Sequence, residues 1–400
     1  MSSFRLAPAL PQSARDELRA YDSLTQQLLF LRGIETESEA QRFFSRAYES
    51  GLHDPFLLPD MERAVVRILT AIDAGERIAI FSDYDCDGIP GGVLLHDFFT
   101  AIGFTNFENY IPHRHDEGYG LNMSAIQTLH TRDASLLITV DCGITDVEQV
   151  AHAQSLGIDV IVTDHHEPAQ TLPPAVAVVN PKREDSHYPF SGLCGTGVAF
   201  KLVSALLARL SQRSDFSWIE GKEKWFLDVV GLATIADMVP LTDENRLFAH
   251  YGLAVMRKNR RIGLARLFRE MKLRANDVTE DDIGFMIGPR INAASRMGAP
   301  EDAFRLLASR DESEAYTYAR HLESLNNERK GVVAAMVKSA KHKLSLRGTL
   351  DHVLVLGDSA WRPALVGLAA NTLAEEYARP VFVWGRDGRE RLKGSCRSSH

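Results

Sequence analysis

The chain has 400 residues, of which 45% are hydrophobic and 24% are charged. This length and hydrophobic content suffice for two domains, each with its own core. The net charge of −8 argues against a surface coated with positive charge for nonspecific binding to nucleic acid, although it leaves room for a local basic channel. No apolar run is long enough to cross a bilayer, and the N-terminal residues lack the apolar core of a secretory signal, so we expect a cytoplasmic protein.

The first 75 residues are predicted to be mostly helical. Apolar residues recur at helical spacing in Leu24–Phe30, in the segment around Glu37–Tyr48 and in Met61–Ile72. We expect residues 1–75 to form a helical region that packs on the domain after it.

From Arg77 onward, short apolar runs alternate with helical stretches. The runs are Ile78–Phe81, Leu136–Val140, Val160–Thr163 and Val176–Val179, and Tyr110–Ile111 marks a weaker strand. Strands separated by helices indicate βαβ units and a parallel sheet that is covered on both faces. The pattern therefore predicts an α/β domain over residues 76–242.

The remaining sequence divides into a helical part and a second α/β part. Residues 243–347 are mainly helical and rich in charge, and Glu312–Leu346 has the length of a connecting helix. Strand character returns at His352–Leu356, followed by a helix over Pro363–Tyr377 and a strand over Val381–Trp384. We expect residues 348–400 to open a second, smaller α/β domain that is incomplete at His400.

The four cysteines are Cys86, Cys142, Cys194 and Cys396, and none of them forms a Cys-x-x-Cys pair. This spacing supports neither a zinc knuckle nor a disulfide framework. We expect four reduced packing residues, with Cys86 and Cys142 filling space beneath the acidic residues beside them.

Acidic and histidine residues follow three of the predicted strands directly. In an open parallel sheet, ligands bind beyond the carboxyl ends of the strands, so these residues should converge although they are far apart in sequence. They are Asp83, Asp85 and Asp87 after the first strand, Asp141 after the next well-defined one, and Asp164, His165 and His166 after the following one.

Converging carboxylates raise one another's pKa values or recruit a cation. Carboxylates with one or two imidazoles suit Mn²⁺ or Mg²⁺, and histidine favours Mn²⁺. Two such ions about 3.5–4 Å apart can hold a phosphate oxygen and activate water, as the hydrolysis of a phosphate ester requires. A single Asp-x-Asp after a strand is more often a turn or a cap, and it is the recurrence at three strand ends that favours a metal site. Asp237 ends an apolar helical run that Pro240 closes, and by itself it would be an ordinary helix-end residue.

These motifs resemble those of a known family. Asp83–Gly88 resembles the first DHH motif, Asp141–Gly143 the second, Asp164–His166 the motif that names the family, and Ile235–Asp237 the fourth. Further stretches, among them YIPHRHDEGYGLN and IGPRINAASRMG, are similar to RecJ-type exonucleases of the DHH phosphoesterase superfamily. The resemblance extends from about Leu24 to the last residue.

The resemblance implies a set of site residues. Asp141 would lie between two Mn²⁺ or Mg²⁺ ions, and the full set of metal ligands would be Asp85, Asp87, Asp141, His165 and Asp237. The resemblance also implies three catalytic residues. His166 would face the scissile phosphate, and Asp164 would be a metal ligand or would orient an imidazole. The third, Asp83, has the least defined role. The groups that hold the 5′ phosphate would be Arg114, Arg296, Ser395 and Arg397. We expect Arg296 to follow a loop between helices.

The function implied by the resemblance is that of a metal-dependent 5′→3′ exonuclease. It would release 5′-mononucleotides from single-stranded DNA in repair and recombination, with single-strand-binding protein or other repair proteins as partners. Two alternatives stay open: a DHH-type phosphodiesterase of short oligonucleotides or cyclic dinucleotides, and a non-catalytic DHH scaffold. The family continues into a glycine-rich motif with a histidine and an OB-like module, and because the sequence ends before them we expect weaker DNA binding.

Two other features have an ordinary structural explanation. Gly195-Thr196-Gly197 stands before an apolar helix, where it could bind an anion, but tight packing of that helix accounts for it as well. The stretch Arg257–Arg274 is basic and amphipathic, and we interpret it as a solvated helix face in preference to a DNA channel.

Overall fold

The computed structural model describes residues 6–388 and 391–398. Residues 1–5, at the start of the predicted helical region 1–75, lie outside the described residues. So do residues 389–390 and 399–400 of the predicted second α/β region 348–400. Within the part of the chain that is described, no helix combines the length and apolar character needed to cross a membrane.

Helices precede the first strand, as the apolar spacing predicts. The third of them begins with a capping box, in which Thr36 and Glu39 each accept a hydrogen bond from the other's backbone N–H. A six-residue helix near the N-terminus was not predicted. The helices are α1 Gln12–Glu17, α2 Ser23–Phe30, α3 Glu37–Phe44, α4 Tyr48–Gly51 and α5 Met61–Ala74.

The central sheet has five parallel strands in the order β2-β1-β3-β4-β5. The elements of this part are β1 Ile78–Ser82, α6 Gly88–Ala101, β2 Phe107–Tyr110, α7 Met123–Thr131, β3 Leu136–Val140, α8 Val147–Ser155, β4 Asp159–Thr163, β5 Ala177–Val179, α9 Gly195–Leu210 and α10 Leu227–Ala236. The α/β class is therefore confirmed. The weaker strand, predicted at Tyr110–Ile111, begins earlier in the structure, at Phe107. Phe107 is the residue that pairs with Ile78 at the start of β1.

Helices cover both faces of this sheet. Ile78 and Ile80 belong to one buried cluster, and the alternate residues Ala79 and Phe81 belong to another. The first cluster includes side chains of α5, α6 and α9, and the second includes side chains of α7 and α8. Burial on both faces explains why the central strands are continuous apolar runs.

The helices after the sheet, except the short helix Glu280–Asp282, add to the first of these clusters, which extends along the sequence from Tyr48 to Leu325. They are α11 Asp243–Arg257, α12 Ile262–Glu270, α13 Glu280–Asp282, α14 Gly288–Met297, α15 Glu301–Ala308 and α16 Glu312–Ser345, with a π-helical turn over Ile283–Ile287. The division of the chain into four regions stays a prediction.

The expected loop before Arg296 was wrong. Arg296 lies in the last turn of α14, and the Gly and Asn residues before it are part of the same helix, which continues from the π-helical turn. Ala293 and Ala294 are fully buried in this helix, and alanine has the highest helix propensity.

A three-stranded sheet in the order β6-β7-β8 follows the long helix α16. Its elements are β6 Leu354–Gly357, α17 Pro363–Tyr377, β7 Val381–Arg386 and β8 Leu392–Arg397. α17 has the predicted bounds, β6 begins two residues later than predicted, and β8 was not predicted. β8 pairs antiparallel with β7 and is largely exposed, so its sequence carries no apolar run.

A buried ion pair joins the sheet to the helices after it. Lys201 of α9 and Glu244 of α11 are 1% and 0% exposed, and Lys201 Nζ lies 2.7 Å from Glu244 Oε1. Lys201 also donates to the His53 carbonyl at 2.5 Å, and Tyr188 Oη donates to Glu244 Oε2. Burial of two charges costs several kcal/mol per ion, and only such a complete set of partners offsets that cost.

Replacing Lys201 should therefore destabilise the protein strongly. We expect Lys201→Met to lower the free energy of unfolding by about 3–5 kcal/mol, because it leaves the Glu244 carboxylate buried without a cation. Urea denaturation followed by circular dichroism measures this. The control, Arg213→Met, removes an exposed pair with Asp73 and should cost no more than about 1 kcal/mol. Equal losses in the two variants would contradict the role of the buried pair.

Candidate metal centre

Three aspartates stand side by side at the carboxyl edge of the central sheet. The backbone N–H groups of Asp83, Asp141 and Asp164 donate to carbonyl groups of the neighbouring strands at 3.1, 3.0 and 3.1 Å. Each residue thus continues the ladder one step beyond β1, β3 or β4. Asp141 has a φ of 62°, a left-handed conformation that Asp and Asn adopt more readily than most residues.

The turn after β1 brings two more carboxylates to this edge. Asp85 Oδ1 accepts hydrogen bonds from the N–H groups of Asp87 and Gly88 at 2.8 and 3.2 Å, which fixes the turn into α6. The Asp87 carboxylate accepts from Gly195 N at 2.6 Å and from Thr196 N at 2.8 Å. The free N–H groups at the start of α9 therefore bind a carboxylate of the chain itself.

The close approach of α9 depends on glycine at position 195. A Cβ atom added to Gly195 would lie 2.5 Å from Asp141 Cβ, so any larger residue would displace either the helix or the aspartate. The Gly195-Thr196-Gly197 motif thus combines tight packing with the binding of an anion, namely Asp87.

His165 and Asp237 complete the cluster. His165 Nε2 lies 3.2 Å from Asp141 Oδ1, 3.7 Å from Asp87 Oδ2 and 3.8 Å from Asp237 Oδ2. Asp237 reaches this point from the C-terminal end of α10. Ligand atoms lie within 4.8 Å of one another in each of three sets: Asp141, His165 and His166; Asp87, His165 and Asp237; and Asp83, Asp85 and Asp141.

The electrostatics of this cluster suit a cation. Burial, and then the charges of Asp87, Asp85 and the other neighbouring carboxylates, raise the pKa of Asp141 well above its usual value. Burial and the same two neighbours raise the pKa of Asp237 to about 7. Oδ1 of Asp83 and Oδ1 of Asp141 are buried and accept no hydrogen bond within the described residues. Carboxylate oxygens with an imidazole are the ligands that suit Mn²⁺ or Mg²⁺, so this set fits such ions.

His166 and Asp164 form a hydrogen-bonded pair beside the cluster. His166 Nδ1 lies 2.8 Å from Asp164 Oδ1, and this hydrogen bond raises the pKa of His166 although burial opposes it. Burial would raise the pKa of Asp164, but the hydrogen bond and charge of His166 outweigh it and lower that pKa. With Nδ1–H held by Asp164, the Nε2 atom of His166 has no hydrogen bond within the described residues and can face a substrate.

Two of the predicted phosphate-binding residues, Arg114 and Arg296, lie near the turn after β1 that carries the acidic cluster. Arg114 Cζ lies 4.7 Å from the centre of the Tyr84 ring. Arg296 Nη1 donates to the Ala364 carbonyl in the first turn of α17 at 2.8 Å. Burial and the positive charges of Arg114 and Arg329 lower the pKa of Arg296 to about 10. His115 Nε2 lies 3.2 Å from the Arg296 carbonyl oxygen, so the segment that carries Arg114 is close to Arg296. No described carboxylate forms an ion pair with Arg114 or Arg296.

Ser395 and Arg397 lie in β8 and contact the same helix. Arg397 Nη1 donates to Ser395 Oγ at 2.8 Å. A Cβ atom added to Gly367 would lie 3.2 Å from Ser395 Oγ and 3.4 Å from Arg397 Nη2. Because Gly367 is one turn beyond Ala364, the smaller sheet brings these two side chains to the end of α17 that Arg296 contacts.

The sequence patterns did not reveal two residues that shape the site. Asn292 of α14 accepts a hydrogen bond from Cys86 N at 2.9 Å and so holds the turn after β1. Tyr119 Oη donates to the Asp141 carbonyl at 3.1 Å and lies 3.2 Å from His166 Nδ1. Asn292 lies one helical turn before Arg296, so the two side chains are on the same face of a helix. That spacing could have indicated from the sequence that Asn292 is near the site.

The cysteines follow the expectation with one exception. Cys86, Cys142 and Cys194 are buried, as expected of packing residues, but Cys396 is exposed in β8. The prediction for Cys396 was wrong because β8 presents most of its side chains to solvent.

Comparison with known proteins identifies the relatives of this chain. Residues 77–234 match the model of the DHH family, N-terminal domain. The chain is 39% identical over 377 residues to the single-stranded-DNA-specific exonuclease RecJ of Bacillus subtilis, which covers 94% of this chain and 46% of that protein. It is 33% identical to RecJ of Dickeya dadantii, over 100% of this chain and 69% of that protein. The chain thus spans between about half and two thirds of these relatives.

A solved structure agrees with the sequence matches. A crystal structure of exonuclease RecJ bound to manganese has a TM-score of 0.72 and 34% identity to this chain. The match covers 86% of this chain and 83% of that one.

Loss of the Asn292 side chain should weaken metal binding. We expect Asn292→Ala to raise the Kd for Mn²⁺ by about 10–100-fold, because residues that orient ligands typically have effects of this size. Isothermal titration calorimetry measures the Kd. In the control, Asn327→Ala, the variant loses only an exposed hydrogen bond to Glu323 and should bind Mn²⁺ as the wild type does. An unchanged Kd for Asn292→Ala would show that the turn does not need this contact.

Proposed function

The chain belongs to the RecJ family of DHH phosphoesterases, and we propose that it is a metal-dependent exonuclease that degrades single-stranded DNA from the 5′ end to 5′-mononucleotides. The observation that carries this proposal is the convergence of five carboxylates and two imidazoles at one edge of the sheet, in sets that overlap at Asp141 and His165. We propose a cytoplasmic location, DNA repair and recombination as the context, and single-strand-binding protein or other repair proteins as partners.

The proposed ligands are Asp85, Asp87, Asp141, His165 and Asp237, which would hold two Mn²⁺ or Mg²⁺ ions. Asp141 belongs to two of the overlapping sets, which supports its role as the ligand shared between the ions. Held by these residues, a pair of divalent ions would polarise the phosphate oxygens and lower the pKa of the attacking water. The manganese in the similar crystal structure supports this choice of metal.

His166 is the proposed electrostatic group of the reaction. Its Nδ1–H bond to Asp164 fixes the imidazole, and its raised pKa favours a protonated ring. A protonated Nε2 can donate to a phosphate oxygen as negative charge develops in the transition state. Asp164 thus acts through His166, while burial and the charge of Asp85 raise the pKa of Asp83 well above its usual value.

The proposed site for the 5′ phosphate consists of Arg114, Arg296, Ser395 and Arg397. Guanidinium groups match the geometry of phosphate, and Arg114 and Arg296 have no described carboxylate partner that would compete for them. Holding the terminal phosphate beyond the metal centre would place the adjacent phosphodiester bond at the metals and so define the polarity of digestion.

Charge removal at position 141 should abolish hydrolysis. We expect Asp141→Asn to reduce digestion of 5′-labelled single strands in Mn²⁺ to the uncatalysed background, because the shared ligand loses its charge while the backbone preference at this position is kept. In the control, Asp277→Asn, an exposed acid distant in sequence from the motifs is changed, and the rate should not change. An unchanged rate in Asp141→Asn, with the fold intact by circular dichroism, would refute the metal assignment.

The length of the substrate distinguishes the remaining candidates. The proposed function predicts that long single strands are digested and that duplex DNA is spared. If the enzyme cleaves dinucleotides or cyclic dinucleotides but leaves long strands untouched, it is a phosphodiesterase of short substrates. If Mn²⁺ binds and none of these substrates is cleaved, the domain is a scaffold.

A further inference from the structure

A half-buried arginine without a counter-ion lies next to the proposed 5′-phosphate site. Arg329 of α16 donates to Asn326 Oδ1 from Nε and Nη2 at 3.2 and 2.9 Å, and no described carboxylate is within ion-pair distance of it. Its neighbour Arg290 differs, because it is paired with Glu323 at 2.5 Å. Burial and the charge of Arg290 lower the pKa of Arg329. A charge that is partly buried and unpaired is costly, so Arg329 is suited to an anion that comes from outside the chain.

Arg329 stands where two helices begin to run side by side. Glu328 of α16 lies 3.6 Å from Arg362, just before α17, and Lys341 lies 2.5 Å from Glu376 near the end of α17. α16 and α17 are therefore parallel neighbours over this length. The end at Glu328 is also the end at which Arg296 donates to the Ala364 carbonyl.

A groove of about 550 Å³ runs along α16 on the side next to α17, and Thr372 of α17 also lines it. Arg329, Lys330, Lys338 and Lys341 line it, with Val333 and Val337 between them. Lys341 is paired with Glu376, whereas Lys330 and Lys338 have no ion-pair partner within the described residues. At about 1.5 Å per residue, the cations extend over about 18 Å of α16.

The positive charges are continuous with those of the 5′-phosphate site. Arg362 Nη1 lies 3.6 Å from Glu328 Oε1 and 3.9 Å from Met297 Sδ, and these two residues are the sequence neighbours of Arg329 and Arg296. The charges of Arg329 and Arg114 both contribute to the lowered pKa of Arg296. A path of positive charge thus leads from Arg114 through Arg296 and Arg329 into the groove. This local concentration stands out in a chain with a net charge of −8.

We propose that the groove between α16 and α17 binds the phosphate backbone of the strand that follows the hydrolysed 5′ nucleotide, with Arg329 as the first contact and Lys330 and Lys338 beyond it. This inference rests on the proposed function. A polynucleotide suits the groove because its phosphates carry regularly spaced charge, and the valines between the cations offer an apolar surface to sugars or bases.

The test compares the binding of long and short single strands without hydrolysis. Fluorescence anisotropy in metal-free buffer gives the Kd of a 5′-phosphorylated 20-mer and of a 5′-phosphorylated dinucleotide at several salt concentrations. The variant Lys330→Glu/Lys338→Glu changes two exposed lysines, and thermal unfolding confirms that it folds. The control, Lys258→Glu/Lys272→Glu, makes the same charge change in the basic stretch of residues 257–274, away from the groove.

We expect the wild type to bind the 20-mer more tightly than the dinucleotide, and the groove variant to reduce that preference at least tenfold. The slope of log Kd against log salt should fall by about 1.4, since each phosphate contact of a single strand contributes about 0.7. The control variant should retain the wild-type preference and slope. Arg329→Gln should weaken binding of the 20-mer in the same direction.

Two outcomes would overturn the proposal. One is a groove variant with the wild-type preference and salt slope, which would leave the groove to an acidic protein partner. The other is a wild type that binds both strands equally. Failure of the proposed function is separate: a wild type that binds the 20-mer through the groove but hydrolyses no strand in Mn²⁺ would refute the exonuclease and keep the groove.

Discussion

Repulsion between buried carboxylates is the constraint on which the rest of this structure depends. Parallel strands in register place Asp83, Asp141 and Asp164 side by side, and the turn into α6 adds Asp85 and Asp87. Two of these carboxylates have hydrogen-bond donors that reduce the electrostatic repulsion between them and their neighbours. The N–H groups at the N-terminus of α9 donate to Asp87, and His166 hydrogen-bonds to Asp164. The carboxylates that remain without such partners are the ones with strongly raised pKa values, and a divalent cation is what neutralises them.

A single helix, α14, contacts both the acidic turn after β1 and the smaller sheet's helix α17. Asn292 of α14 holds the turn that carries Asp85 and Asp87, and Arg296, one helical turn later, contacts α17 in the smaller domain. The acidic turn and Arg296, which we propose binds the 5′ phosphate, thus both contact the same helix.

The sequence predicted those parts of the site that depend on local pattern and sheet topology. Apolar runs in the sequence predict the buried strands, and the carboxyl ends of parallel strands lie at one edge of the sheet. The convergence of Asp83, Asp141 and Asp164 therefore followed from their positions in the sequence. Asp237 and Arg296 entered through family resemblance, because the packing of α10 and α14 brings them to the site and no local pattern reports that packing. Asn292 and Arg329 were missed for the same reason: their importance lies in the contacts of α14 with the turn after β1 and of α16 with α17. Strand β8 was missed because an exposed edge strand has no apolar periodicity.

The left-handed backbone at Asp141 has an evolutionary consequence. At a φ of 62°, most L-residues are disfavoured, and Gly, Asn and Asp are the ones that tolerate it. Selection on chain geometry and selection on charge therefore act on the same codon. A relative that lost hydrolytic activity would no longer need the negative charge at this position but would still need a residue that tolerates a positive φ. Asn or Gly at position 141 would therefore indicate a domain that has kept this fold without the hydrolytic activity.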